Sequence, residues 1–111
     1  MNSGDSAARE SETSAAVTAA IPVIVGSLAT HGVRDVQWFL AFHGYPVMWL
    51  MTSTDAEKAT AVEHGFFRPE VLAALAQAGV APDLVERAGV TVESQETVDR
   101  DFEGSWFYAM R

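Results

Sequence analysis

The carboxylates of residues 93–104 are the densest polar group in this 111-residue chain: Glu93, Glu96, Asp99, Asp101 and Glu103 against one base, Arg100. That segment carries half of the formal net charge of −8. Oxygens at alternate positions, as in Asp99-x-Asp101-x-Glu103 before Gly104, imitate the opening of a calcium loop, in which ligands converge and a glycine permits the sharp turn. The position that should close such a loop with a bidentate glutamate is Met110, so the imitation ends there. The segment reads instead as a solvated acidic edge or as a surface that meets a basic protein, since opposite fields speed encounter and reject wrong partners. Glu96, Asp99, Asp101 and Glu103 are the candidate residues for that contact.

His31, His43 and His64 are the next groups able to do chemistry. No two of them stand at the i, i+3 or i, i+4 spacing that presents two nitrogens to one metal. His43 shares a loop with Tyr45. With Arg100 these two would supply the polar contacts of a ligand pocket between a sheet and a helix beginning near Asp55. Ser27 lacks the second glycine of a nucleophile elbow and falls in a helical pattern. The chain has no cysteine, no G-x-G-x-x-G, no G-x-x-x-x-G-K and no H-E-x-x-H, so no thiol, nucleotide or zinc-protease motif supports an enzyme. No metal and no cofactor are expected.

The strongest signal is aromatic. Trp38, Phe39, Phe42, Tyr45, Trp49, Trp106, Phe107 and Tyr108 fall in three short runs with strand-like composition, and each such side chain can bury about 150–250 Å². Residues 36–52 read as a β-hairpin turning at His43, Gly44, Tyr45 and Pro46. Alternation places Val36, Trp38 and Leu40 on one face and Gln37 and Phe39 on the other, with Val47, Trp49 and Met51 opposed to Met48, Leu50 and Thr52. Both faces are mostly apolar, so the hairpin is expected between two layers, or against a second molecule through residues such as Trp49 and Trp106.

The elements that must position these residues follow from periodicity and caps. Val17, Ile21, Ile24 and Leu28 share one helical face. Pro22 should bend or interrupt that helix, and His31-Gly32 should stop it. Thr54-x-x-Glu57 has the spacing of a capping box and sets a helix start near Asp55, ending at His64-Gly65. Helices near Pro69 and Pro82 follow, each stopped by a glycine. Val90 and Val92 suggest a third strand and residues 105–111 a fourth, while residues 94–104 fit either a helical turn capped by Ser94 or a hairpin closing at Glu103-Gly104.

The fold class expected is α+β: one antiparallel sheet of about four strands in two hairpins, an N-terminal helix and a central block of short helices. Residues 1–13 read as a disordered acidic tail and residues 14–111 as a single domain. The apolar stretch 15–29 is shorter than the roughly 20 residues a membrane crossing requires and is preceded by acids, so neither a membrane span nor a signal peptide is expected. With 7 Lys and Arg against 15 Asp and Glu, nucleic acid is an unsuited partner.

In size and charge alone the chain is similar to small bacterial immunity and antitoxin-like proteins. The aromatic strands and the acidic segment themselves lead to the expectation of an acidic, cytoplasmic, non-enzymatic interaction protein, a homodimer formed through aromatic sheet surface and able to bind a basic protein. A small-molecule-binding domain or minor enzyme is the alternative.

Overall fold

Hydrophobic spacing and helix propensity make the first element long. The computed structural model describes residues 3–65 and 67–110; Met1, Asn2, Phe66 and Arg111, which the expected tail, helical block and fourth strand include, lie outside the described residues. Helix α1 spans Ser3–Leu28 and buries Thr13, Ala16, Val17, Ala20, Ile24 and Leu28. These positions recur every three or four residues and form the one face that meets the core. The helix runs through Pro22, which is exposed, so the carbonyl of Thr18 that loses its amide partner can turn to water. Its first turns occupy part of the segment expected as a tail. A helix nucleated by packing extends at little cost, and Arg9 Nη2 lies 2.8 Å from both carboxylate oxygens of Asp83. A short 3₁₀ turn, Ala29–His31, ends at Gly32, whose φ of 93° is a left-handed conformation suited to glycine.

Strands β1, Asp35–Leu40, and β2, Pro46–Thr52, form the expected antiparallel hairpin. Its tip is a tight turn: the Ala41 amide donates to Tyr45 O at 2.9 Å and the Gly44 amide to Ala41 O at 2.8 Å, with Gly44 at φ 86°. This is the turn-plus-glycine-bulge geometry of a three-residue hairpin loop. Helix α2, Asp55–His64, begins with the capping box: Thr54 Oγ1 accepts from the Glu57 amide at 3.1 Å, and Glu57 Oε1 accepts from the Thr54 amide at 3.0 Å. Helices α3, Phe67–Ala78, and α4, Pro82–Arg87, follow.

The sheet departs from expectation at β3, Gly89–Ser94, which pairs with β2 in parallel, Val47 opposite Gly89 and Thr52 opposite Ser94. The three helices between them form a crossover that returns the chain to the starting end of β2, the connection a parallel pair requires. The sheet is therefore mixed, in the order β1-β2-β3. Among the described residues there is no fourth strand. Residues 95–101 form helix α5, Gln95–Asp101, capped by Ser94, and the aromatic run that alternates like a strand forms a helical turn, α6, Trp106–Ala109. The amides of Phe102 and Gly104 both donate to Val98 O at 2.9 Å, and Glu103 and Gly104 take positive φ. The chain is thereby turned back before it could run along a sheet edge.

The core occupies one face of the sheet. Val36, Met48 and Leu50 pack with Val17, Ile24 and Leu28 of α1, Val71 and Leu75 of α3, Ala61 of α2 and Leu84 of α4, and Trp38, Val90 and Val92 are packed against them. The opposite face carries Asp35, Gln37 and Phe39 of β1, Val47, Trp49 and Met51 of β2, and Thr91 and Glu93 of β3. Phe39 there is 41% exposed, and Val47, Trp49 and Met51 are half-buried.

The contrast between these environments sets the mutational response. Leu50→Ala, at a side chain with no exposure, should cost about 2–5 kcal/mol of unfolding free energy, because transfer and cavity terms add. Val62→Ala, at a side chain 65% exposed, should stay within about 0.5 kcal/mol. Urea denaturation midpoints at constant slope measure both.

Candidate functional site

Parallel strands end on the same side, and each of β2 and β3 hands the chain to a helix there. The positive N-terminal ends of α2 and α5 consequently lie side by side. Asp55, the first residue of α2, sits between them. Its Oδ1 accepts from the hydroxyls of Ser94 and of Thr97, the latter at 2.7 Å, and its Oδ2 accepts from Arg100 Nη1 at 2.9 Å. Ser94, Thr97 and Arg100 recur every third residue and so share the face of α5 that looks at Asp55. In return, Glu96 Oε1 accepts from the Asp55 amide at 2.9 Å. Thus each helix lends a carboxylate to the other helix's N-terminus. Alongside, Lys58 of α2 and Glu93 of β3 form an ion pair at 2.8 Å.

Each hydroxyl both donates and accepts in this network. Ser94 Oγ, which donates to Asp55, accepts from the Thr97 amide at 3.1 Å; Thr97 Oγ1 accepts from Arg100 Nη2 at 3.2 Å. Hydrogen bonds from Ser94, Thr97 and Arg100, in that order, hold the Asp55 carboxyl well below the usual carboxylate range. Arg100 is raised above its ordinary value, chiefly by its bond to Asp55 and then by the charge of Asp101. A nucleophile needs a neighbouring base and access to substrate. Ser94 is fully buried with its hydroxyl committed, and a guanidinium cannot accept a proton. The cluster is a clamp that ties α2 to α5, bordered by a shallow depression of about 520 Å³ lined in part by Lys58, Val62, Thr97 and Arg100.

The acidic surface flanks this clamp. Glu96, Asp99, Asp101 and Glu103 are all exposed on α5 and the turn after it. Trp106, half-buried, donates its indole N–H to Gln95 Oε1 at 2.8 Å, and Gln95 Nε2 donates to Asp99 Oδ1 at 2.8 Å. Trp106 is therefore held beside the acids by a short polar chain. Trp49 lies elsewhere, on the outer sheet face between Gln37 and Thr91, with its indole N–H buried and without a hydrogen-bond partner among the described residues.

The pocket expected from His43, Tyr45 and Arg100 is not assembled. His43 and Tyr45 belong to the hairpin loop at the start of β2, whereas Arg100 follows the ends of β2 and β3; the seven residues of β2 separate them by roughly 20 Å. Tyr45 packs against the core. His43 meets the ring of Phe42 edge-on at 4.8 Å and lines a cleft of about 450 Å³ with Arg9, Thr13 and Leu84. His31 rests edge-on against Phe67 at 6.0 Å, and His64 closes α2. Among the described residues no three His, Asp or Glu side chains stand close enough to share a metal ion.

Asp55, Lys58, Ser94 and Thr97 are site residues that sequence spacing does not reveal. Their local signals are the two helix caps, Thr54-x-x-Glu57 and Ser94-x-x-Thr97, but only the parallel register brings those caps together. No family model, no curated protein and no solved structure matches the chain, so functional inference rests on these residues.

A carboxylate depressed in the folded state contributes stability that is present above its unfolded pKa and is lost as pH falls through the folded value. The stability difference between the natural chain and Asp55→Asn should therefore stay constant from about pH 8 to about pH 5 and shrink progressively below about pH 4. Chemical denaturation across that range measures it, and a difference independent of pH would contradict the assignment.

Proposed function

We propose that the protein is a small acidic, non-enzymatic interaction protein. It self-associates through the aromatic sheet surface around Phe39 and Trp49. It holds a basic protein partner through Glu96, Asp99, Asp101 and Glu103, with Trp106 beside them, as immunity and antitoxin-like proteins do. One observation carries this reading: the polar side chains gathered at the ends of β2 and β3 are bonded to one another, while large apolar side chains stand in water. Phe42 is 93% exposed, Val62 65%, Val23 51% and Phe39 41%. Of these, Phe39 adjoins Val47 and Trp49 on the outer sheet face, and a contiguous exposed apolar patch marks an interaction surface.

The cleft at the hairpin tip favours a second reading, a small-molecule site with Arg9, Thr13 and His43 as its polar contacts. A ligand present far above its dissociation constant must raise the melting temperature by mass action, so a thermal-shift screen that finds a stabiliser lost in His43→Ala would favour that reading.

The partner reading makes a positional claim that net charge alone does not. Asp99→Lys/Asp101→Lys should weaken binding to an oligolysine peptide at low salt several-fold more than Glu63→Lys/Glu70→Lys, which changes net charge equally at two other exposed acids. Fluorescence anisotropy titration checks it; equal losses would mean that charge is read globally and would remove the acidic surface from the proposal.

A further inference from the structure

We infer that self-association runs through the free edge of β1, which pairs antiparallel with β1 of a second copy of the chain about a two-fold axis at Phe39. This rests on the self-association reading and gives it a location and a register.

The sheet order leaves β1 on the outside. The bond from the Ala41 amide to Tyr45 O fixes which β1 main-chain groups face β2, because antiparallel hydrogen-bonded pairs recur every second residue. Phe39, Gln37 and Asp35 face Val47, Trp49 and Met51. Leu40 is opposite Pro46, which has no N–H to give, and this agrees with the same alternation. The amides and carbonyls of Val36, Trp38 and Leu40 therefore point out of the sheet. Natural edges are usually blunted by Lys, Pro or bulges, and residues 36–40, Val-Gln-Trp-Phe-Leu, contain neither Lys nor Pro. The single blunting device is Asp35, whose Oδ1 takes the Val36 amide at 2.8 Å.

That device selects the register. With the axis at Phe39, Trp38 of each copy exchanges both main-chain bonds with Leu40 of the other, and the Asp35 to Val36 bond is left intact. With the axis at Trp38, the Val36 amide would enter the ladder and displace Asp35. At the Phe39 axis the two Phe39 side chains stand directly opposite each other in a non-hydrogen-bonded pair, about 4.5 Å apart at Cα, each covering the other's exposed ring on the outer face. The same register carries the hairpin tip, with Phe42 and His43, toward Asp35 of the second copy.

Helix α1 supplies the second line of support. It packs on β1 and on α3, while α3 reaches β3, so its free flank lies on the side of the β1 edge. From Thr13 to Thr30 α1 and the turn after it carry no charged residue, and Ala15, Ala19, Val23 and Gly26 are exposed. By length and composition Ala8–His31 could cross a membrane, and only 28% of its apolar window is buried. A two-fold axis at Phe39 sets the α1 flanks of the two copies antiparallel. Glu10 and Glu12 of one then approach the end of the other that precedes Arg34. An uncharged flank of about 27 Å by about 10 Å, with a strand edge of about 20 Å by about 10 Å, gives on the order of 1,000 Å² over both copies, about the threshold that separates biological interfaces from incidental contacts.

The absence of native cysteine makes the register directly testable. Phe39→Cys places two thiols within the Cα separation a disulfide spans; Thr91→Cys, exposed on the same face of β3, serves as the control. At micromolar concentration the natural chain should sediment as a dimer. Under mild oxidation Phe39→Cys should cross-link to covalent dimer about tenfold faster than Thr91→Cys. Phe39→Lys, which sets like charges opposite each other, should raise the dimer dissociation constant about tenfold while leaving circular dichroism unchanged. A dimer in which Phe39→Cys links no faster than Thr91→Cys overturns the β1 edge and leaves self-association standing. A natural chain that sediments as monomer, whether alone or bound to phosphatidylcholine vesicles, overturns both.

Discussion

The packing of α1 and α3 against a single face of the sheet is the constraint on which the rest of the structure depends. Val17, Ile24 and Leu28 on one side and Val36, Met48 and Leu50 on the other form one continuous core with Val71 and Leu75. A three-stranded sheet has a second face and two edges, and this core includes neither Phe39 nor Val47, Trp49 or Met51. A chain of this size buries roughly two thirds of its unfolded surface. Here the remaining third includes Phe39, with Val47, Trp49 and Met51 half-buried beside it on the outer face.

The crossover through α2, α3 and α4 has a different consequence. By returning the chain to the start of β2 it makes β3 parallel, and this brings two capped helix starts together at the far end of the sheet. Asp55 answers both, accepting from α5 while its own amide is taken by Glu96. Arg100, the one base among the acids of residues 93–104, is spent on this clamp and on Asp101. Asp99 and Glu103 are left with no cation opposite them among the ion pairs of the described residues. The clamp therefore serves both stability and the acidic character of the adjoining surface.

Much of this was legible in the residues themselves. The buried face of α1, the hairpin, the Thr54-x-x-Glu57 cap and the glycine stops follow from local periodicity and local hydrogen bonding, which a sequence encodes directly. Among the described residues the expected fourth strand is a helical turn, Trp106–Ala109, which follows the left-handed turn at Glu103 and Gly104; alternation over so few positions is a weak sign of a strand. The parallel pairing was not legible at all. Val90 and Val92 look the same in either direction, and only the crossover decides. For the same reason the Asp55, Ser94, Thr97 and Arg100 cluster was out of reach, and His43 and Arg100, each reasonable alone, were joined across the length of a strand.

Hydrogen exchange at individual β1 amides, followed by NMR as the protein is diluted from about 500 to about 5 μM, tests most directly whether the sheet completes itself with a second copy. Gln37 and Phe39, which bond to β2, should be protected at every concentration. Protection of Trp38 and Leu40 should rise toward theirs at the high end and fall away on dilution. Trp38 and Leu40 amides that exchange as freely as an open edge at every concentration would contradict the account.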